Sequence, residues 1–241
     1  MKKIKLFATA ALMAVGVNAN AQFTNASSAG GGAVSDGWNT VYAEINPSTF
    51  SPKHGDSESF LGFSLGYSRT FGLSQNIPLF LEVGGGLQYS HKNYDYSIEG
   101  YKKNLDFSQS FNMISLKVPV NIAYKFDIPN STVSIIPYTG FHFRFNIVGT
   151  TKNNFEGDWD DLYEYERKEV EEIDGESINV FDKDDMGSSD ATWNRFQIGW
   201  HIGTNVTFGK FLVGVDYGLD FSEISKNTTI NGATIRLGYT F

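Results

Sequence analysis

A two-residue alternation of apolar and polar side chains constrains this sequence more than any other feature. Between Val41 and Ile45 every second residue is apolar, and Tyr42 and Glu44 lie between them. Successive side chains of a β-strand point to opposite faces, so this pattern predicts a strand with one apolar face. The alternation recurs in seven further segments, at 60–71, 79–89, 114–126, 139–147, 196–208, 211–221 and 233–241.

The length of these segments favours strands that cross a membrane. Strands of soluble proteins are usually about 5–6 residues long, whereas about 9–11 residues cross a bilayer at a tilt. Aromatic residues lie near many of the segment ends, which is typical of the aromatic girdles at membrane interfaces. A soluble β-sandwich or a lipocalin-like barrel is the alternative, and it would turn its apolar face inward.

The connections between the segments alternate between short and long. Bacterial outer-membrane barrels have short periplasmic turns and long external loops. We therefore predict an all-β fold, an eight-stranded antiparallel up-and-down transmembrane β-barrel over residues 38–241, with both chain termini in the periplasm. The short turns lie near 72–78, 127–132 and 209–210, and the long connections near 47–59, 91–109, 149–191 and 221–231.

The N-terminal segment predicts export. Three lysines precede an apolar stretch at 6–17, and Ala19-Asn20-Ala21 follows the small-x-small cleavage rule. We predict a signal peptide at 1–21, cleaved before Gln22. Glycine and other small residues dominate 22–37, which predicts a flexible periplasmic tail.

The last segment alternates and ends on aromatic residues, Tyr239 and Phe241. It resembles the C-terminal insertion signal of outer-membrane barrels. The whole pattern resembles the small eight-stranded Gram-negative outer-membrane barrel family that includes OmpX and the membrane domain of OmpA. This resemblance implies an outer-membrane location, contact with membrane lipid and lipopolysaccharide, and recognition of the last strand by the barrel-assembly machinery. It rests on pattern and not on a catalytic motif.

Charged residues on the polar face predict a filled lumen. Glu44, Asp216 and Arg236 fall at similar heights on strands that become neighbours when the barrel closes. Side chains nearly fill an eight-stranded barrel, and a buried charge needs a partner. We predict that these three residues form an ion cluster, with a narrow ion path as the alternative.

Histidine and rim residues leave two chemical alternatives open. His142 and His201 are predicted to point inward at comparable heights, as a metal site or as members of a polar hydrogen-bond network. An enzyme would need a nucleophile, a base and an orienting acid near the outer rim. The residues with suitable chemistry are Ser90 with His91, and His54 with Asp56 and Ser57. Their spacing is not specific to any enzyme, so no catalytic residue and no cofactor are predicted.

One connection carries the whole net charge of the chain that remains after the predicted removal of the signal peptide. Residues 152–190 contain 15 acidic and four basic residues. The acidic balance argues against nucleic acid as a partner. Within this loop, Asp174-Gly175 predicts a β-hairpin turn.

The segment "DKDDMG" has the beginning of a calcium loop but lacks its later ligands. Met186 replaces an oxygen ligand, and Trp193 stands where a bidentate Glu belongs. Asp182, Asp184 and Asp185 remain weak candidates for a divalent cation or an extracellular cationic ligand, and a solvated loop is the alternative.

These observations predict a non-enzymatic barrel that acts in envelope integrity or in surface interaction through its external loops. The alternatives are a narrow channel or secretion accessory and, less favoured, a lipid-modifying outer-membrane enzyme.

Overall fold

The computed structural model describes residues 37–74, 76–97, 106–156 and 164–241. The predicted signal peptide and the tail up to residue 36 lie outside the described residues. The described part contains a helix, α1 (Glu164–Ile173), and ten strands: β1 (Gly37–Pro52), β2 (Glu58–Gly72), β3 (Leu79–Ser97), β4 (Asp106–Tyr124), β5 (Phe126–Asp127), β6 (Val133–Glu156), β7 (Ser177–Asn179), β8 (Phe196–Phe208), β9 (Phe211–Asp220) and β10 (Thr228–Thr240).

The eight long strands pair into a closed antiparallel ring. Their order is β4-β3-β2-β1-β10-β9-β8-β6, and β6 pairs back with β4. The predicted all-β antiparallel barrel is therefore confirmed. The described strands number ten, and the two additional ones are β5 and β7, with two and three residues.

The apolar faces point outward. Leu65 is 71% exposed, whereas Glu44 on the neighbouring strand is 4% exposed. Along β1 the buried and exposed residues alternate from Thr40 to Phe50. An apolar outer surface with polar residues inside is the reverse of a soluble barrel and is the arrangement of a membrane barrel.

Three neighbouring strands are longer than the alternation predicted. β3 and β4 each have 19 residues and β6 has 24, whereas β9 has ten. Much of what the sequence placed in the loops 91–109 and 149–191 is therefore strand. A bulge at Ile147 shifts the register, because Ile114 pairs with Val148 and Ser115 pairs with Asn146.

The predicted hairpin at Asp174-Gly175 is wrong, because these residues end a helix. The Asp174 N–H donates to the Val170 carbonyl at 2.8 Å, and Gly175 has a φ of 73°. A left-handed glycine directly after the last turn is a common helix terminator. The Gly175 N–H then donates to the Asn153 carbonyl at 2.8 Å, which attaches the helix end to β6.

No helix in the described ranges combines the length and apolar character needed to cross a membrane.

Two apolar layers lie inside the barrel, one towards each end. We call the end with the long connections the loop end and the other the turn end. The loop-end layer consists of Phe50, Phe60, Phe111, Met113, Ile224 and Ile230, with Trp193 packed against it. The turn-end layer consists of Phe80, Ala123, Ile136 and Tyr138, with Trp38 packed against it.

Candidate functional site

The barrel interior between the two layers contains a cation held by two carboxylates. The Nε and Nη2 atoms of Arg236 each lie 2.8 Å from Glu44 Oε1, and Nη1 lies 3.3 Å from Glu82 Oε1. The guanidinium carbon lies 4.5 Å from the centre of the Tyr42 ring. Arg236 is 2% exposed, so the charge is removed from water and compensated by these contacts.

The predicted ion cluster differs in one member. Asp216 forms no salt bridge with Arg236 among the described residues, and accepts a hydrogen bond from the Tyr138 hydroxyl at 2.9 Å. Glu82 on β3 takes the place that the sequence assigned to Asp216. β3 is not a neighbour of β10, so Glu82 reaches Arg236 across the interior of a narrow barrel. Counting heights on neighbouring strands could not identify that contact.

A second ionic cluster lies nearer the loop end and was not predicted. Asp220 accepts from His142 Nε2 at 2.7 Å and from Arg144 Nη1 at 2.9 Å. All three side chains are almost fully buried. The arrangement is the reverse of the first cluster, because here one carboxylate is bonded to the nitrogen atoms of two side chains, His142 and Arg144.

Two inward-facing glycines of β8 make room for these contacts. A Cβ atom at Gly199 would lie 2.5 Å from the His142 ring, and one at Gly203 would lie 2.8 Å from the Tyr138 ring. Side chains of β6 therefore pass over β8 to reach acceptors on β9. These glycines are the sequence signal that could have indicated the contacts with Asp220 and Asp216.

The two interior histidines belong to a polar network. Their ring centres are 5.4 Å apart. His142 Nε2 is bonded to Asp220, and His201 Nε2 is bonded to Asn121 Oδ1. Within the described ranges there is no group of three or more His, Cys, Asp or Glu side chains that could hold a metal ion. The hydrogen-bond alternative therefore fits the geometry better than the metal alternative.

Side chains occupy most of the interior. A cavity of about 20 Å³ lies beside Lys117, His142, Arg144, His201 and Asp220. Such a volume holds about one water molecule. The apolar layers lie on either side of this polar region.

The loop end does not assemble the predicted cation ligands. Asp182 Oδ1 accepts from the Asp184 N–H at 2.9 Å, and Asp185 Oδ2 accepts from the Asn179 N–H at 3.0 Å. These carboxylates stabilise turns of the loop and do not converge on one point. The described residues form no group of three or more His, Cys, Asp or Glu side chains that could hold a metal ion, so the cation site at Asp182, Asp184 and Asp185 stays a prediction.

Ser90 and His91, one of the two sets of rim residues considered for catalysis, are also separated. The other set, His54, Asp56 and Ser57, is exposed in the connection after β1. Ser90 is fully buried and faces inward, with Gln88 Nε2 donating to its hydroxyl at 3.2 Å. His91 faces outward, and its Nδ1 lies 2.9 Å from Asn112 Oδ1. A nucleophile and a base on opposite faces of one strand cannot share a proton.

The last strand completes the barrel. Tyr239 is exposed on the outer surface, 5.7 Å from the Phe211 ring in an edge-to-face arrangement. Phe241 exchanges two backbone hydrogen bonds with Asn39, at 2.9 and 3.0 Å. Both aromatic side chains thus lie where a membrane interface would meet the turn end.

Comparison with known families agrees with this geometry. A family model described as "Outer membrane protein beta-barrel domain" matches residues 13–225. The chain belongs to this family. Membership places the barrel in the outer membrane, in contact with its lipid. A comparison with curated proteins found no match.

Several solved structures are similar to the chain at low identity. The attachment invasion locus protein Ail of Yersinia pestis, crystallised with the heparin analogue sucrose octasulfate, is 14% identical, with 86% of this chain and 100% of Ail covered and a TM-score of 0.46. Neisserial surface protein A is 16% identical, with coverages of 84% and 97% and a TM-score of 0.41. The outer membrane enzyme PagL is 16% identical, with coverages of 83% and 98% and a TM-score of 0.40.

Proposed function

We propose that this barrel is a non-enzymatic surface protein that binds an extended segment of another protein at its loop end, with both chain termini in the periplasm. The observation that carries the proposal is an open sheet edge above the barrel. β2 pairs with β3 only as far as the pair Leu61–His91, whereas β3 continues to Ser97. Among the described strands, the residues beyond Lys92 therefore have a backbone pairing partner on one side only, which is β4.

This edge is long enough to bind a peptide strand. Five residues, Asn93 to Ser97, extend about 17 Å at about 3.4 Å per residue. Backbone N–H and C=O groups along such an edge accept an added strand in several peptide-binding proteins. Open edges are usually short or covered because they promote aggregation. An edge of this length that no described strand pairs with therefore supports a binding role.

The other side of the projecting sheet is covered. β7 pairs with residues 150–152 of β6, and the Phe155 N–H donates to Asp174 Oδ1 at 2.9 Å. The same sheet thus has one closed edge and one open edge. This difference provides a matched control position.

The charge of the loop end selects among partners. With 15 acidic and four basic residues at 152–190, a sulfated polyanion like the one in the Ail complex would be repelled. A neutral or basic peptide segment fits better. We keep recognition of β10 by the barrel-assembly machinery and contact with lipopolysaccharide as parts of the proposal.

Two features support a role without conduction or catalysis. The interior is packed by two apolar layers and two ionic clusters, so an ion would have to displace paired side chains. Ser90 and His91 face opposite sides of β3. We therefore expect no steady single-channel current in planar bilayers, and unchanged lipid A mass in cells that produce the protein.

Topology can be tested by single-cysteine labelling, because the chain contains no cysteine. Asn93→Cys should react with a membrane-impermeant maleimide on intact cells. Ser131→Cys, in the turn before β6, should react only after the outer membrane is permeabilised. The reverse pattern would overturn the proposed orientation.

Binding at the open edge can be tested by photocrosslinking on intact cells. A photoreactive phenylalanine analogue replaces Asn93 at the open edge or Asn154 near the closed edge. A discrete protein adduct should form only at position 93, and a competing extended peptide from the identified partner should suppress it. Equal adducts at both positions, or none at position 93, would refute edge binding.

A further inference from the structure

A single charged side chain lies on the outer surface of three neighbouring strands. The alternation of burial places Arg69 on the outward face of β2, and the other outward residues of β1, β2 and β10 are uncharged. Arg69 Nη1 donates to Asn39 Oδ1 at 3.2 Å, and the Tyr67 hydroxyl donates to the same oxygen. In the described part of the chain, no carboxylate lies within 4 Å of the Arg69 guanidinium. Its charge is therefore not compensated by an acidic side chain there.

Arg69 lies at the level of the turn-end aromatic residues. Asn39 pairs with Arg69 in register and exchanges backbone hydrogen bonds with Phe241. The guanidinium carbon lies 5.6 Å from the centre of the Phe71 ring. Aromatic residues at this level mark the membrane–water interface, where lipid phosphates also lie.

An apolar groove lies further along the same outer surface, towards the middle of the membrane; on β2 it begins at Leu65, and Tyr67 lies between it and Arg69. It has a volume of about 740 Å³. Ala43 has the smallest of the outward-facing side chains that line the groove. The residues paired with Ala43 on either side are the larger Leu65 and Leu237. Its other outward-facing lining residues are Ile45, Phe63, Leu87, Tyr89, Ile114 and Ile235.

The dimensions of the surface match one lipid leaflet. Arg69 and Phe63 are six positions apart on the same face of β2, which is about 20 Å along the strand. A strand tilt of about 40° reduces this to about 15 Å along the membrane normal. Half of a hydrocarbon core of about 30 Å has the same thickness.

We propose that Arg69 and this groove bind one anionic phospholipid. The phosphate accepts hydrogen bonds from the Arg69 guanidinium, and one acyl chain lies in the groove over Ala43. Gly85 pairs in register with Tyr67, and a Cβ atom at Gly85 would meet nothing within 4 Å, so the glycerol region has room there. The assignment of the lipid to the periplasmic leaflet rests on the topology proposed above.

The chemistry favours a phosphodiester with a net negative charge. A guanidinium fork matches two phosphate oxygens, and a charge-assisted bond at the edge of the hydrocarbon is shielded little by water. An arginine without a lipid ligand would extend to water as an interfacial anchor. That simpler role requires no groove on the same strand.

The test measures retained lipid on the full mature chain by native mass spectrometry from detergent micelles. Phosphatidylglycerol is the probe, and diacylglycerol with the same acyl chains is its phosphate-free control. We expect one retained phosphatidylglycerol on the wild type and at least about tenfold weaker retention for Arg69→Gln, as for loss of a hydrogen bond to a charged group. Ala43→Leu, which fills the groove, should weaken retention with both lipids.

Two matched variants separate this site from general attraction. Lys210→Gln removes another cation at the turn end, 5.8 Å from the Tyr239 ring, and Val215→Leu enlarges an outward side chain outside the groove. Both should retain lipid as the wild type does. Equal loss in Lys210→Gln and Arg69→Gln, equal binding of diacylglycerol, or wild-type retention in Arg69→Gln would each overturn the proposal. Micelles have no leaflets, so these outcomes are independent of the proposed topology.

Discussion

The two halves of the barrel interior contain opposite arrangements of charge. Near the turn end, the Arg236 guanidinium lies between the carboxylates of Glu44 and Glu82. Near the loop end, the Asp220 carboxylate lies between His142 and Arg144. Each cluster therefore depends on one central residue, and the charge of that residue is reversed between the halves.

The apolar layers differ in origin as well. Strand residues form the turn-end layer, whereas Ile224 and Trp193 of the loop-end layer come from connections between strands. These connections are joined by a hydrogen bond from the Asn194 N–H to the Ile224 carbonyl at 2.6 Å. Residues of the long loops thus form part of the core. Substitutions in these loops should therefore destabilise the loop-end layer and leave the turn-end layer intact.

The largest expected effect tests the central residue of the turn-end cluster. Arg236→Ala leaves two buried carboxylates without their cation and should cost about 5 kcal/mol, the upper range for a broken buried pair. Arg144→Ala should cost about 3 kcal/mol, because Asp220 keeps His142. Urea unfolding from lipid vesicles measures both, with exposed Lys168→Ala as the control. Equal costs for the two arginines would contradict the difference between the clusters.

Substitutions in the two apolar layers should differ by a smaller amount in their cost to the free energy of unfolding. Phe111 has three aromatic neighbours, Phe50, Phe60 and Trp193, with ring centres 5.6, 6.0 and 5.3 Å away. Phe80 has a described ring contact with Trp38 at 4.8 Å.

Phe111→Ala should therefore cost about 4 kcal/mol and Phe80→Ala about 3 kcal/mol, because aromatic pairs add to the cost of the cavity. The same unfolding assay applies. A larger loss for Phe80→Ala would show that the turn end has the more important layer.

Gly203 of β8 tests whether the contact between Tyr138 and Asp216 needs a close approach of neighbouring strands. Gly203→Ala should cost about 2 kcal/mol, since its Cβ would lie 2.5 Å from the Val215 carbonyl oxygen, a backbone atom. Gly85→Ala on the outer surface has no such contact and should change stability by less than about 0.5 kcal/mol. If both substitutions are neutral, the strands can separate enough to admit a methyl group.

The smallest expected effects concern one carboxylate outside the membrane at each end. The Asn227 N–H and the Lys53 ammonium hold the pKa of Glu223 below its ordinary value at the loop end. The Ser134 hydroxyl and the Lys125 ammonium do the same for the pKa of Asp127 at the turn end. A lowered folded-state pKa stabilises the fold above the unfolded pKa, and this contribution is lost as pH falls through the folded value.

Carboxyl NMR titration in micelles measures both groups. Lys53→Met should raise the Glu223 pKa by a fraction of a unit and leave Asp127 unchanged, and Ser134→Ala should do the reverse. A shift of both pKa values by one substitution would mean that the two ends are not independent.

The sequence could predict which residues face outward and which face inward much better than it could predict the contacts inside the barrel. Alternation identified the outward face of β1 and the inward position of Glu44, because a side-chain period of two is a local property. Glu82 was missed as a partner of Arg236 because that contact crosses the lumen. The contact depends on the width of the barrel.

The sequence pattern also failed to predict the full length of the strands. Residues 92–97 and 150–156 are mainly polar, with Tyr94, Tyr96 and Phe155 as the exceptions, so their alternation is too weak to identify a strand, yet they remain paired as strand. Pairing with a neighbouring strand overrides weak local preference. The helix before Gly175 was missed for a related reason, since a turn glycine fits a hairpin and a helix end equally well.

The pairing of β1 with β10 has a consequence for assembly. Thr40 lies opposite Thr240, about 200 residues away along the chain. Closing so long a loop is entropically costly, and contacts of this sequence separation slow folding. The seam between these strands is therefore expected to form late. Until it forms, two complementary strand edges are free to pair with a second copy or with a helper protein, and the nascent sheet is vulnerable to domain swapping.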